Sequence, residues 1–232
     1  KQMKSEGKLQ VRLHAMLSSR DSLLLEDWFL DGPEIDDDNL LNIRSIKIHS
    51  DGALGSRGAW LLEEYSDMKG HFGHSTMPLP SVEYIVQRAL ENGFQVCTHA
   101  IGDRANKEIL DRYQMSFEKY PELSENHRFR IEHAQHLNPD DIPRFADLKV
   151  LPAMQGIHMS SDRPWAIDRL GEQRIKEGAY IWQTLLQSGV PIINGTDVPV
   201  ESINPINCFY ASVSRKTLNG TPEGGYEAEQ KM

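Results

Sequence analysis

The chain has 232 residues, 39% of them hydrophobic, which is enough for one large domain with a sizeable core. Its net charge of −9 at pH 7 would repel a polyanion over most of the surface, so we expect no nucleic-acid partner. No apolar run approaches the roughly 18 residues of a membrane span, and two cysteines argue against a disulfide scaffold. No basic-then-apolar leader pattern is visible after Lys1, so we expect a soluble protein, cytoplasmic by default, that acts on small molecules.

Predicted strands and helices alternate along the chain. Strands are indicated by branched and alternating apolar residues, and helices by apolar spacing of three to four with Pro or Gly at their ends. In chain order, the predictions are strands at 9–17 and 45–52, a helix at 80–93, a strand at 94–103, a helix at 104–121, a strand at 128–135, a helix at 138–149, a strand at 150–156, a helix at 178–189, a strand at 190–200 and a helix at 204–216. This order is typical of a parallel sheet with crossover helices.

The second predicted strand contains a lysine where a buried strand would not be expected to carry a charge. Ile46 and Ile48 suit a packed face, so the side chain of Lys47 should point to the opposite face. A lone buried ammonium costs several kcal/mol, as an order of magnitude, unless it is paired or neutralised. Pairing with Asp51 across the following loop is one solution.

Four predicted strands end in one ionisable side chain each, namely Lys47, His99, His133 and Asp197. In a (β/α)₈ barrel the C-terminal strand ends form the active-site face, so these groups would converge. Two imidazoles and a carboxylate are ligands for a divalent transition metal. Taken singly, each histidine could be an ordinary hydrogen-bonded residue, and Asp197 could cap a turn. The pattern alone therefore leaves a metal site open.

Four blocks of sequence carry a family resemblance: IKIHSDGALGSRGAW, THAIGDRANKEIL, RFRIEHAQHL and INGTDVPVESINP. Together they resemble the amidohydrolase superfamily, specifically its YtcJ-like metal-dependent hydrolases (amidohydrolase family 3), whose relatives include an N-substituted formamide deformylase. The resemblance implies a metal-dependent TIM barrel that hydrolyses non-peptide amide C–N bonds of small molecules. It implies that Lys47 is carboxylated to an anionic carbamate ligand, that His99 and His133 are the ligands on strands five and six, and that Asp197 is both ligand and general base.

Further polar residues follow the predicted strand ends, where substrate contacts or supporting hydrogen bonds would lie, although a loop-stabilising role is equally open for each. They are Asp51, Arg57, Asp103, Arg104, Gln155 and His158.

The chain departs from the family pattern because it contains no His-x-His pair. We therefore expect residues 1–232 to form one incomplete (β/α) barrel domain, truncated at both ends and holding roughly strands three to eight with their helices. A full-length form would bind one or two divalent ions, with zinc as the first expectation. In this chain the site would be weak or vacant, with Lys47 an unmodified amine paired with a carboxylate. Alternatives are a mononuclear site of His99, His133 and Asp197, and an inactive fragment that binds ligands weakly at most. Exposed barrel edges predict a homo-oligomer.

Overall fold

The computed structural model describes all 232 residues, Lys1–Met232. The strands are β1 (Leu13–Ser18), β2 (Glu34–Ile35), β3 (Leu41–His49), β4 (Gln95–Ala100), β5 (Arg130–His133), β6 (Leu151–Met154) and β7 (Ile193–Asn194). The α-helices are α1 (Gln2–Ser5), α2 (Ser22–Asp31), α3 (Leu79–Glu91), α4 (Asp103–Lys119), α5 (Pro121–Ser124), α6 (Ile142–Asp147), α7 (Gly156–Gly178), α8 (Trp182–Gln187) and α9 (Pro205–Ser214). No helix has both the length and the apolar character needed to cross a membrane.

Six of the strands form one parallel sheet in the order β1-β3-β4-β5-β6-β7, and the short β2 pairs antiparallel with β3. The sheet curls into a half-barrel with the helices packed against it. β1 and β7 are the two edges, each paired with a single neighbour. The predicted partial TIM-like α/β barrel is confirmed, and its C-terminal strand ends lie together at one end of the sheet.

The two faces of the sheet carry different side chains, because successive residues of a strand point in opposite directions. Ile46 and Ile48 of β3, Val96 of β4 and Ile131 of β5 are completely buried in the hydrophobic core. Lys47 alternates with the two isoleucines and lines a cavity on the other face.

The structure differs from the predicted elements in two places that matter for the site. The helix α7, Gly156–Gly178, occupies a region where only a helix from 178 onward is predicted, and its backbone is interrupted at Gly171 with φ 79°. The strand predicted at 190–200 is only two residues long, Ile193–Asn194. Asp197 follows it in a left-handed conformation with φ 56°, which ends the extended backbone.

Candidate metal centre

A cavity of about 440 Å³ lies at the C-terminal ends of the parallel strands. Its lining includes the four ionisable residues predicted at strand ends, Lys47, His99, His133 and Asp197, together with His158 of α7. The parallel register explains part of this convergence, since His49 is level with His99 on the neighbouring strand, and Ala100 is level with His133 on the next.

His133 is the last residue of β5, and a neighbouring amide fixes the orientation of its ring. Its Nδ1 lies 2.8 Å from Oε1 of Gln155, while Nε2 of Gln155 donates to the carbonyl of Ala153 over 3.0 Å. Because Oε1 can only accept, Nδ1 carries the ring hydrogen and Nε2 keeps its lone pair. Burial lowers the pKa of His133 to about 3, so the imidazole is neutral at neutral pH, as a metal ligand must be.

His158 and Asp197 contact each other across the cavity. His158 Nε2 lies 3.1 Å from Asp197 Oδ2. Ligand atoms of His133, His158 and Asp197 all lie within 4.8 Å of one another, close enough to surround a single ion. Burial opposes the ionised form of Asp197, but the hydrogen bond from His158 and nearby imidazoles hold the pKa of the carboxyl below its ordinary value. Asp197 is therefore ionised at neutral pH.

His99 lies beside His133, with ring centroids 4.5 Å apart, and its Nε2 lies 3.3 Å from Oδ1 of Asp51. Asp51 is almost completely buried and accepts three backbone N–H bonds, from Ile101 over 3.0 Å and from Trp60 and Gly102 over 2.9 Å each. Asp51 thus joins the loops that follow β3 and β4 and sits behind His99. It does not pair with Lys47.

The side-chain amine of Lys47 makes no hydrogen bond or ion pair with any residue of the chain. The carboxylate partner expected for Lys47 from the sequence is therefore wrong, and Asp51, the candidate named there, instead accepts three backbone N–H groups. Burial lowers the pKa of Lys47, although the negative charges of Glu132 and Asp197 oppose this shift.

Of the six polar residues that follow strand ends in the sequence, only His158 lines the cavity. Asp51 and Gln155 support His99 and His133 from outside it, and the remaining three lie in the surrounding loops. Arg57 forms a two-bond ion pair with Asp67 at 3.0 and 2.9 Å. Asp103 accepts the backbone N–H groups of Leu62 and Arg104, both over 2.9 Å, and the guanidinium of Arg104 lies 4.7 Å from the ring centroid of Trp60. These residues hold the loops around the site together.

Reasoning from the sequence missed four ionisable or aromatic residues of the lining, namely His49, Asp162, Trp165 and Glu201. His158, Asp162 and Trp165 have the i, i+4, i+7 spacing of one helix face, which would have found them if α7 had been predicted. His49 lies two residues beyond Lys47 on β3 and so on the same face.

The Amidohydrolase family model matches residues 1–232. The chain belongs to the amidohydrolase family. The protein YtcJ of Bacillus subtilis (strain 168) is 36% identical over 173 residues, which are 75% of this chain and 32% of that protein. Protein LONG AFTER FAR-RED 3 of Arabidopsis thaliana is 35% identical over 175 residues, 75% of this chain and 30% of that protein.

Solved structures of two metal-dependent hydrolases also match this amidohydrolase. The Pyrococcus horikoshii structure has a TM-score of 0.82 and 30% identity, covering 99% of this chain and 44% of that chain. The Pyrococcus furiosus structure has a TM-score of 0.81 and 30% identity, covering 98% of this chain and 46% of that chain. The chain thus spans less than half the length of the relatives described here.

The donor atoms in this amidohydrolase fit a divalent ion. A catalytic zinc site ordinarily takes three protein ligands, and His133, His158 and Asp197 supply two imidazoles and a carboxylate within 4.8 Å of one another. Nε2 of His133 keeps a free lone pair because Nδ1 is engaged by Gln155. Lys47 and His99 line the same cavity and could complete a larger ligand set.

Proposed function

We propose that this chain carries the metal-binding and proton-transfer groups of a hydrolase that cleaves non-peptide amide C–N bonds of small molecules. The observation that carries the proposal is the convergence of His133, His158 and Asp197 at the C-terminal strand ends of a family member. The metal-dependent hydrolases among its structural relatives support the same reaction class.

Two overlapping ligand sets are compatible with the cavity. His133 and Asp197 belong to both, whereas Lys47 with His99 completes one and His158 completes the other. When bound, a divalent ion such as zinc lowers the pKa of a coordinated water toward about 7 and polarises the substrate carbonyl.

A carbamate on Lys47 is chemically consistent with its surroundings. Only a neutral amine attacks carbon dioxide: the new N–C bond forms, one proton leaves the nitrogen, and the product is an anion. Burial lowers the pKa of Lys47 and so increases the neutral fraction. The amine has no hydrogen bond or ion pair that would have to break first.

Asp197 is the proposed general base. Its carboxylate is ionised, and one oxygen, Oδ2, is held by His158 over 3.1 Å, so that Oδ1 can accept the proton of the attacking water. The same carboxylic acid then returns the proton to the leaving nitrogen as the C–N bond breaks. His158 fixes the orientation of the carboxylate through both steps.

Metal content and hydrolysis together test the proposal. The zinc-loaded chain is expected to retain metal after gel filtration and to release amine from N-formyl and N-acyl amines. His133→Ala should lose both metal and activity, and the exposed His74→Ala is the matched control that keeps both. A folded chain that binds no metal and hydrolyses none of these amides would instead support the alternative, an inactive barrel segment with at most weak ligand binding.

A further inference from the structure

One face of α7 forms a wall of the cavity. His158, Asp162 and Trp165 all line it, at the i, i+4, i+7 spacing that places side chains on one side of a helix. Glu201, from the segment between β7 and α9, lines the same cavity, with Oε1 3.8 Å from Nδ1 of His158. This wall therefore carries two carboxylates and an indole next to the candidate metal centre.

The two carboxylates have no dedicated cationic partner. Oδ2 of Asp162 accepts only from neutral donors, Nε2 of Gln135 over 3.3 Å and the hydroxyl of Tyr180 over 3.2 Å. Burial raises the pKa of Asp162, although the nearby His158 and the hydrogen bonds from Tyr180 and Gln135 oppose this increase. The ring of His158 lies 3.8 Å from Glu201, too far for a hydrogen bond, and its Nε2 already donates to Asp197.

The cavity as a whole has an excess of negative charge. Its lining contains three carboxylates, those of Asp162, Asp197 and Glu201, whereas Lys47 is the only lysine or arginine among the lining residues. A cationic ligand group would therefore be attracted into the cavity.

Trp165 completes the wall with an aromatic surface. Its ring lies across Gly55, where an added Cβ would come within 3.1 Å of the indole, so the glycine leaves room for the ring. The guanidinium of Arg169 lies 5.8 Å from the indole centroid. An indole beside carboxylates is a general arrangement for binding an ammonium group.

We propose that Asp162, Glu201 and Trp165 form a subsite that selects amide substrates bearing a primary ammonium, that is, N-acylated diamines. This inference rests on the proposed function and specifies its substrate class. Asp162 lies four residues beyond His158, about 6 Å along the helix at 1.5 Å per residue. That separation corresponds to roughly a butyl chain between the scissile amide and the ammonium.

Two isosteric probes test the subsite by binding, without metal and without turnover. N-acetylputrescine ends in an ammonium, and N-pentylacetamide has a methyl group in its place. By isothermal titration of the chelator-treated chain, N-acetylputrescine should bind about tenfold more tightly, the scale of one charge-assisted contact. The preference should shrink as salt is raised. Equal affinities, or no binding of either probe, would overturn the subsite.

Matched variants assign the preference to these carboxylates. Asp162→Asn with Glu201→Gln should bring the affinity ratio close to one, whereas Asp168→Asn with Glu172→Gln, an equal charge change at exposed positions of α7, should leave it unchanged. A lower metal content in the double variant would overturn the subsite, because the two acids would then be ligands. If the zinc-loaded chain hydrolyses both probes equally well, the hydrolase proposal stands and the subsite proposal fails.

Discussion

Asp197 occupies a backbone conformation that few residue types adopt. Its φ of 56° is left-handed, a region in which Asp and Asn are enriched, and Pro199 follows two residues later. The side chain is thereby directed back toward His158 and His133 instead of continuing the direction of β7. The position of the Asp197 carboxylate thus depends on this turn. Asparagine also adopts the left-handed conformation, so it can replace Asp197 without changing the turn.

This local geometry makes Asp197→Asn an informative substitution. Asparagine tolerates the same φ and can still accept a hydrogen bond from His158, but it lacks a carboxylate to take a proton. General acid–base help is typically worth 10²–10⁴-fold, so turnover of the zinc-loaded chain should fall by about that factor while most metal remains bound. Retention of more than about a tenth of the parent rate would contradict a general-base role.

Gln155 acts on the site through His133 rather than by touching the proposed ion. Removing its Oε1 leaves Nδ1 of a buried imidazole without an acceptor and frees the ring to rotate. Gln155→Leu should therefore weaken zinc binding by about 10–100-fold, the usual effect of losing a ligand's supporting hydrogen bond. Competition with a chromophoric chelator measures this change. Gln173→Leu on the exposed surface of α7 should have no such effect, and equal losses in both variants would contradict the assignment.

At the scale of elements, the sequence predicted what depends on local periodicity and missed what depends on packing. Lys47, His99 and His133 could be brought together because parallel strands place their C-terminal ends at one edge. The contact of His158 with Asp197 could not be predicted in this way. The helix that carries His158, α7, starts at Gly156, contains Pro164 and bends at Gly171, and both residue types disfavour a helix. Tertiary packing against α9 overrides those local preferences.

The start of α4 depends on the absence of a side chain. A Cβ at Gly102 would lie 2.1 Å from the carbonyl oxygen and 2.6 Å from the carbonyl carbon of Trp60. Backbone atoms cannot rotate away, and Gly102 N also donates to Asp51 behind His99. Gly102→Ala should lower the free energy of unfolding by at least about 2 kcal/mol, as overpacking does. Urea unfolding measures this loss. Gly224→Ala, which meets nothing within 4 Å, is the control, and equal stability of both variants would contradict the steric argument.

His127 connects the loop before β5 to the end of α6 as a neutral imidazole. Nε2 donates to the carbonyl of Leu148 over 2.9 Å, and Nδ1 accepts from the backbone N–H of Phe129 over 2.7 Å. Burial lowers the pKa of His127 to about 4 in the folded chain, against about 6.5 when unfolded. Between these values only the unfolded chain takes up the proton, so stability falls as pH decreases from about 6.5 to 4.

The matching experiment compares urea unfolding of the parent and His127→Gln across this pH range. The variant should be less stable at pH 7, and its pH dependence should be shallower by up to one proton, about 1.4 kcal/mol per pH unit. The exposed His74→Gln should retain the slope of the parent. An unchanged slope in His127→Gln would show that other groups, such as His49 and His133, carry the acid sensitivity.

At the scale of the whole molecule, the half-barrel has two open edges. β1 pairs only with β3 and β7 only with β6, which leaves backbone N–H and C=O groups of both edges without strand partners. Apolar side chains are exposed near the β7 edge, with Val200 at 72% and Ile203 at 73% exposure. Open edges next to apolar surface favour association.

We therefore expect the chain to form a dimer or a larger assembly at micromolar concentration, with the surface beside β7 in the contact. Ile206 and Phe209 of α9 are 67% and 63% exposed and lie three residues apart, so they share a face of the helix. Two lysines there would place like charges in a symmetric contact and add no strain to the folded chain. Light scattering of Ile206→Lys with Phe209→Lys should show a monomer, whereas Leu123→Lys, at a similarly exposed site on α5, should remain associated. A monodisperse parent monomer would refute the association. If the double-lysine variant remained associated, the contact would lie at the β1 edge and not beside β7.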